Sequence, residues 1–205
     1  FILGGYSRKR QSQSRSLAQI KCFKPMTLEE IFDLCDKQWI RAKNDKKHPF
    51  RYFTLATVNN KGRAKGRMVV LRNYDSKTKE FTIYTDARSQ KVNDLNQQQK
   101  AQLIFYHPKK RLQVLVDVEL ITMDRPQELF KNQPARTQKD YTSILPPGTP
   151  MKSTEGIGYE KDKNFFTRLI LKAEEIEMLQ LSSIQHHRAR FKSTAKGWEN
   201  TFLIP

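Results

Sequence analysis

Apolar positions recur along the chain at two different periods, and the switch between them marks out its elements. From Thr27 the sequence reads Thr-Leu-Glu-Glu, in which the Thr27 and Glu30 side chains can each satisfy the other's backbone amide at a helix start. Leu28, Ile31, Phe32, Leu34, Cys35, Trp39 and Ile40 then follow at roughly helical spacing, which predicts an amphipathic helix to about Lys43. After Pro49 the period shortens to that of strands. Tyr52–Val58 and Gly66–Asn73 read as strands, with Asn59-Asn60-Lys61-Gly62 as the hairpin turn between them. A second polar turn, Asp75–Lys79, precedes a strand over Glu80–Thr85, and Ser89 is placed to cap a short helix to about Gln98.

Strand character returns at Ala101–Tyr106 and Leu112–Ile121, either side of His107-Pro108-Lys109-Lys110. Pro126–Tyr141 reads as helical, bent or split by Pro134. Leu145–Asp162 is a long polar loop of the kind that often lies over a site. Four further strands are expected at Phe165–Leu171, Ile176–Leu181, Ala189–Lys192 and Trp198–Ile204. Many antiparallel strands with few helices predict a mainly β, α+β fold, closed into a small barrel so that no edge is left exposed.

Composition agrees with a folded core: of 205 residues, 37% are hydrophobic and 10% aromatic. No apolar run approaches the roughly 18 residues of a membrane span. Cys22 and Cys35 cannot make a disulfide framework, and they read as inert thiols of a reducing compartment. The formal charge of +17 points to an anionic partner. Residues 1–25 distort that signal, because they hold six basic residues and no acid. This stretch reads as a flexible basic arm, an organellar targeting remnant or an added extension before Met26, and residues 26–205 read as the domain. The expected compartment is cytoplasmic, or organellar if the arm is such a remnant.

Candidate chemistry is sparse. There is no GxGxxG, Walker or GxSxG pattern, and Gly156-Ile157-Gly158 reads as loop punctuation. His186-His187 make a poor metal pair, since neighbours on a strand point to opposite faces. What stands out is a set of basic and hydroxyl residues at strand ends: Arg67, Tyr84-Thr85 and Ser89-Gln90-Lys91. Arg67, Lys91 and the Thr85 and Ser89 hydroxyls can hold a phosphate, aided by the amides at the helix start. Taken singly, each cation equally suits solvated surface.

Four motifs in order, Arg67–Arg72 (RMVVLR), Phe81–Lys91 (FTIYTDARSQK), Ala101–Val116 (AQLIFYHPKKRLQVLV) and the tail from His186, resemble the pyridoxamine 5′-phosphate oxidase superfamily of FMN-binding split barrels. Arg51–Val58 (RYFTLATV), Arg88–Lys91 and His186-x-Arg188 look closer to the oxidase-related branch than to the vitamin enzyme itself. The resemblance runs from about Thr27 to Pro205. It implies that Arg67 and Lys91 bind the FMN phosphate with Tyr84, Thr85, Ser89 and Gln90 nearby. It also implies that Met68, Val69, Val70 and Leu71 line the flavin, and that Gln113 and Arg190 contact it. Arg72, His186 and Arg188 would line the substrate pocket. Members of the family are homodimers with FMN between protomers. Where the vitamin enzyme clamps its substrate phosphate with Tyr, Arg and Ser, this chain has Leu129, Gln133 and Thr137.

The resemblance therefore implies an FMN-dependent oxidoreductase with an altered substrate site and a small anionic substrate. Three alternatives stay open: true oxidation of pyridoxamine or pyridoxine 5′-phosphate, a flavin-binding stress or storage protein, and a nucleic-acid-binding barrel using charge and exposed aromatics. No RNP-like or helix-turn-helix pattern supports the last. Colour separates the last from the others, since an FMN protein is yellow and a nucleic-acid binder carries excess absorbance at the nucleic-acid band.

Overall fold

The computed structural model describes residues 26–153 and 155–205, so the expected basic arm lies outside the described residues. Helix α1 spans Leu28–Asn44 and opens with the anticipated reciprocal cap: the Thr27 amide donates to Glu30 Oε2 at 2.8 Å and the Glu30 amide to Thr27 Oγ1 at 3.2 Å. Its buried face is Ile31, Cys35, Gln38, Trp39 and Ala42, whereas Ile40, counted as apolar face in the pattern, is 40% exposed. Burial pushes the Cys35 thiol up to about 12, which fits an inert thiol.

Among the described residues nine strands follow with three shorter α-helices and two 3-10 turns, Pro49–Arg51 and Pro108–Lys110. The strands and α-helices are β1 (Tyr52–Val58), β2 (Ala64–Val70), β3 (Asn73–Asp75), β4 (Glu80–Asp86), α2 (Gln90–Gln98), β5 (Lys100–His107) and β6 (Leu112–Asp124), then α3 (Gln127–Lys131), α4 (Ala135–Lys139), β7 (Phe166–Gln180), β8 (His187–Thr194) and β9 (Gly197–Phe202). Strand order is β2-β1-β5-β6-β7-β4-β3, all neighbours antiparallel. The Arg72 amide donates to the Thr82 carbonyl at 2.9 Å, which brings the exit of β2 back to β4 and closes the barrel.

Strand β7 makes the barrel a split one. Its first half, Phe166–Lys172, pairs with β4, and its second half, Glu175–Gln180, pairs with β8 on the same edge. The sequence pattern predicted two strands here, broken around Lys172–Glu175. The structure corrects this to a single strand of 15 residues carrying an extra residue, Glu174, where Asp117 pairs with Glu175 and Val118 with Ala173. A bulge inserts one residue without ending the ladder, so inward positions step from Ala173 to Ile176 and the alternation reads as a gap. The second strand of the hairpin also differs: it ends at Val70, leaving Leu71 and Arg72 beyond it, and Arg67 lies within it rather than at its start. Pro134 does split the 126–141 region into two short helices.

Inward residues from strands β1 to β8 form one core with α1. Trp39 meets Tyr74, Phe81 and Phe105 at ring-centroid distances of 5.2, 5.1 and 5.7 Å, and Phe53 stacks on Phe105 at 4.5 Å. Truncating any of these rings to Ala is expected to cost about 3–5 kcal/mol. No described helix is long and apolar enough to cross a membrane.

Candidate functional site

The inward row of β1 runs Phe53, Leu55, Thr57, and that of β4 runs Phe81, Ile83, Thr85, so both turn from apolar to hydroxyl at one rim of the barrel. Helix α2 lies against that rim. It buries Val92 and Leu95 with a carboxylate, Asp94, between them. Because Asp94 sits on the buried face, its oxygens must be satisfied by neighbours. Thr57 Oγ1 donates to Oδ2 at 2.6 Å, Gln90 Nε2 to Oδ1 at 2.9 Å, and Arg67 approaches Oδ2 at 3.4 Å. Burial alone would raise the Asp94 carboxyl, but the hydrogen bonds from Gln90 and Thr57 and the charge of Arg67 outweigh it and hold the group below its ordinary value.

Arg67 faces inward from β2 on the same side as Val69. Besides Asp94, its guanidinium donates to Thr57 Oγ1 at 2.6 Å and to the Leu55 carbonyl at 3.3 Å. Lys91, in the first turn of α2, donates to Thr85 Oγ1 at 3.0 Å, and the Ser89 hydroxyl lies 3.2 Å from the same oxygen. Ser89 is the N-cap residue, as expected, yet its hydroxyl turns to Thr85 instead of bonding a helix amide. Burial lowers the Lys91 ammonium pKa, the neighbouring Arg67 charge lowers it further, and Asp86 opposes them. Two cations are thus held close enough to repel each other, with two hydroxyls and a helix start beside them. That arrangement fits an anion of more than one charge, such as a phosphate monoester.

Tyr84 points to the other face of β4 from Thr85. The Arg72 guanidinium lies 5.4 Å from the centre of its ring, keeps a buried Nε with no partner, and its charge acts on the neighbouring Tyr141 hydroxyl. Tyr84, Tyr141 and Phe130 pack round Phe166 at 4.9, 5.1 and 5.7 Å, so Arg72 lies against an aromatic cluster joined to the α3–α4 segment. In that segment Gln133 turns its amide onto the Leu129 carbonyl at 3.0 Å. Met68 is 63% exposed and faces away from the barrel interior, as does Val70, whereas Val69 and Leu71 are buried.

The remaining expected residues lie elsewhere. Gln113 pairs with Leu179, Arg188 with Leu179 and Arg190 with Glu177, all in the second half of β7, whereas Thr85 pairs with Thr167 in the first half. Twelve residues of extended chain separate Thr167 from Leu179, a contour of about 40 Å. His186 precedes β8 rather than lying on it, and its Nδ1 accepts from the Ser182 amide at 3.1 Å. His187 is buried. Arg188 grips Glu177 Oε1 through Nε and a terminal nitrogen at 3.0 and 2.7 Å. With Met26, Leu28, Phe202 and Ile204, His186 and Arg188 line a cleft of about 670 Å³. One chain therefore carries the phosphate-type cluster and the Gln113–Arg188–Arg190 cluster at different ends of β7.

Sequence reasoning missed Thr57, Asp86, Asp94 and Tyr141. Asp94 had a legible signal, an acid on the apolar face of a short helix. Thr57 broke the inward series of β1. The others become visible only through contacts between distant segments.

Residues 37–123 match the family described as "Pyridoxamine 5'-phosphate oxidase, FMN-binding domain". The chain is 33% identical over 100 residues to a pyridoxine/pyridoxamine 5′-phosphate oxidase of Sinorhizobium fredii, covering 47% of each chain. It is 31% identical over 116 residues to that of Aliivibrio salmonicida, covering 56% of this chain and 53% of the relative. These matches span about half the length of the curated relatives. Among solved structures, a pyridoxamine 5′-phosphate oxidase-related, FMN binding protein from Nostoc punctiforme superposes with a TM-score of 0.68 at 21% identity, over 84% of this chain and 96% of the other. PhzG from Burkholderia lata, solved with tetrahydrophenazine-1-carboxylic acid, gives 0.69 at 18% identity over 85% and 92%. The fold is the split barrel, and residues 37–123 are similar to the FMN-binding domains of the pyridoxamine 5′-phosphate oxidase family.

Proposed function

We propose that this protein is an FMN-dependent oxidoreductase of the pyridoxamine 5′-phosphate oxidase-related branch, acting as a homodimer on a small anionic substrate. The observation that carries the reading is the convergence of Arg67 and Lys91 on one hydroxyl-lined rim, where their mutual repulsion favours a shared anion. Arg67, Thr85, Ser89 and Lys91 would hold the phosphate of FMN, and Met68–Leu71 would border its ring. Bound flavin supplies hydride transfer at N5. The protein's part is then to orient and to exclude water.

A homodimer is supported by the spread of the two clusters over about 40 Å of strand contour along β7. Gln113, Arg190, His186 and Arg188 lie toward the other end of β7 from the phosphate-type cluster, and in a two-fold pair each chain would complete the site of the other. The outward face of β2-β1-β5 offers a surface for that pairing, with Met68, Tyr52 and Tyr106 each more than half exposed.

On the substrate side, Leu129 and a Gln133 turned onto the Leu129 carbonyl do not supply a phosphate clamp. Each lost charge-assisted contact costs about 1.5–3 kcal/mol. Pyridoxamine 5′-phosphate should therefore bleach the flavin slowly, if at all, in an anaerobic mixture with fully FMN-loaded protein, and release little peroxide on admission of air. Rapid, saturable turnover would instead establish the vitamin-enzyme activity named for the curated relatives. A protein that binds no FMN would refute the proposal altogether.

A further inference from the structure

Beside the phosphate-type cluster, the turn from Asp86 to Lys91 holds an ion pair that the FMN reading leaves unused. Asp86 is buried, and Arg88 closes on it as a fork, Nε to Oδ1 at 3.0 Å and a terminal nitrogen to Oδ2 at 2.7 Å. The Arg88 amide donates to Oδ1 as well, at 2.8 Å. The guanidinium carbon lies 3.3 Å from the centre of the Phe165 ring. Its terminal nitrogens reach a distant segment, donating to the Ile144 carbonyl at 3.0 Å and the Ser143 carbonyl at 2.9 Å. Those carbonyls belong to a narrow ribbon: Ser143 bridges Tyr159, the Ile144 amide donates to Gly158 and the Glu160 amide to Thr142.

Asp86 is also the carboxylate whose charge acts on Lys91. Left free, it would compete for that ammonium with any incoming anion, because a charge-assisted contact to carboxylate resembles one to phosphate. With both its oxygens held by a guanidinium, Asp86 is engaged by Arg88 rather than by Lys91, and Lys91 is left bonded to the neutral Thr85 hydroxyl.

We infer that Arg88 is a positioning residue for the anion site: it neutralises Asp86 so that Lys91 stays available to a phosphate, and in the same contact it fastens the 142–144/158–160 ribbon to the phosphate-binding turn. The identity of the anion rests on the FMN reading, but the contacts do not.

The test uses the full chain with Arg88→Gln and Arg88→Gln/Asp86→Asn. FMN and riboflavin are titrated by flavin fluorescence, Lys91 is titrated by NMR of its labelled ε-carbon, and hydrogen exchange follows the ribbon without flavin. Arg88→Gln should weaken FMN about tenfold, the loss of one charge-assisted contact, with little effect on riboflavin. The double variant should return FMN affinity to within about threefold of wild type, since the competing carboxylate is gone. Ribbon exchange should rise in both variants, because Asp86→Asn cannot restore the bonds to Ser143 and Ile144. A general loss of structure would not be rescued by removing a second charge. If the double variant binds FMN no better than the single one, charge competition is wrong. If ribbon exchange is unchanged, the fastening is wrong. If wild type binds no FMN, the cofactor reading fails, while the Lys91 titration still decides: it must shift up in Arg88→Gln and return in the double variant. Should Arg88→Gln not fold, Arg88→Lys keeps the charge and loses the fork, so FMN affinity should hold within about threefold while ribbon exchange rises.

Discussion

At the scale of single residues the site depends on keeping two like charges together in a partly buried place. Lys91 has its proton affinity lowered by burial and by Arg67, a cost that the proposed bound anion would offset. Replacing Arg67 and Lys91 together by Ala should raise the FMN dissociation constant at least tenfold while leaving the weaker binding of riboflavin nearly unchanged, as read by fluorescence titration. The pH dependence has a definite sign. The unfolded chain keeps the Lys91 proton up to about its ordinary value of 10.5, whereas the folded flavin-free protein releases it at lower pH. Between those two points the folded state holds fewer protons, so the contribution of Lys91 to stability rises with pH. FMN favours the charged form, so its affinity should fall across the same window. Arg67, Thr85, Ser89 and Lys91 were legible in the sequence because cations and hydroxyls stood at predicted strand ends and a helix start. Thr57 and Asp86 were not, because their roles arise across space: Thr57 meets Asp94 37 residues on, and the Arg88 that holds Asp86 reaches 55 residues on to Ser143.

At the scale of elements, what could be read was whatever local chemistry dictates: the reciprocal cap of α1, the β1–β2 turn with Gly62 in the left-handed region at φ 71°, and the break at Pro134. Continuity of β7 was hidden, because the Glu174 bulge shifts its inward positions and its partner changes from β4 to β8 nearby. The anchoring of α1 was equally invisible. Asp36 on α1 accepts from the Tyr74 hydroxyl at 2.5 Å and from Lys79 Nζ at 2.7 Å, and Lys79 also lies 4.9 Å from the centre of the Phe32 ring. One carboxylate therefore ties the helix to the β3–β4 hairpin. Lys79 is 9% exposed, so removing its partner strands a nearly buried ammonium. Asp36→Ala should cost about 2–4 kcal/mol in urea unfolding, against less than about 0.5 kcal/mol for Asp33→Ala, whose pair with Lys37 is solvent-exposed at 3.8 Å. FMN affinity of the folded Asp36 variant should be unchanged, since the anchor lies outside the anion site.

At the scale of the whole molecule, the placement of the two clusters toward different ends of β7 carries the proposal that one flavin site is shared by two protomers, and that proposal can be tested by complementation. If each flavin is held by Arg67 and Lys91 of one protomer and by Gln113 and Arg190 of its partner, damage to the two halves must behave as complementary rather than additive. Take one chain with Arg67→Ala and Lys91→Ala, and another with Gln113→Ala and Arg190→Ala, co-expressed with different tags and purified through both. In such a heterodimer one site gathers all four substitutions and the other gathers none. The heterodimer should therefore bind one FMN with wild-type affinity, half the wild-type stoichiometry, although each parent homodimer binds weakly at both sites. If both clusters served the same chain's flavin, every site in the heterodimer would carry one defect and no tight site would appear. Light scattering sets the frame for this measurement. With a formal charge of +17 per chain, repulsion between protomers is strongest at low ionic strength, so the dimer should be firmer at about 0.15 M salt than at 0.01 M. A monomer at the higher salt that still binds FMN tightly would rule out the shared site, and with it the placement of Gln113 and Arg190 against the flavin.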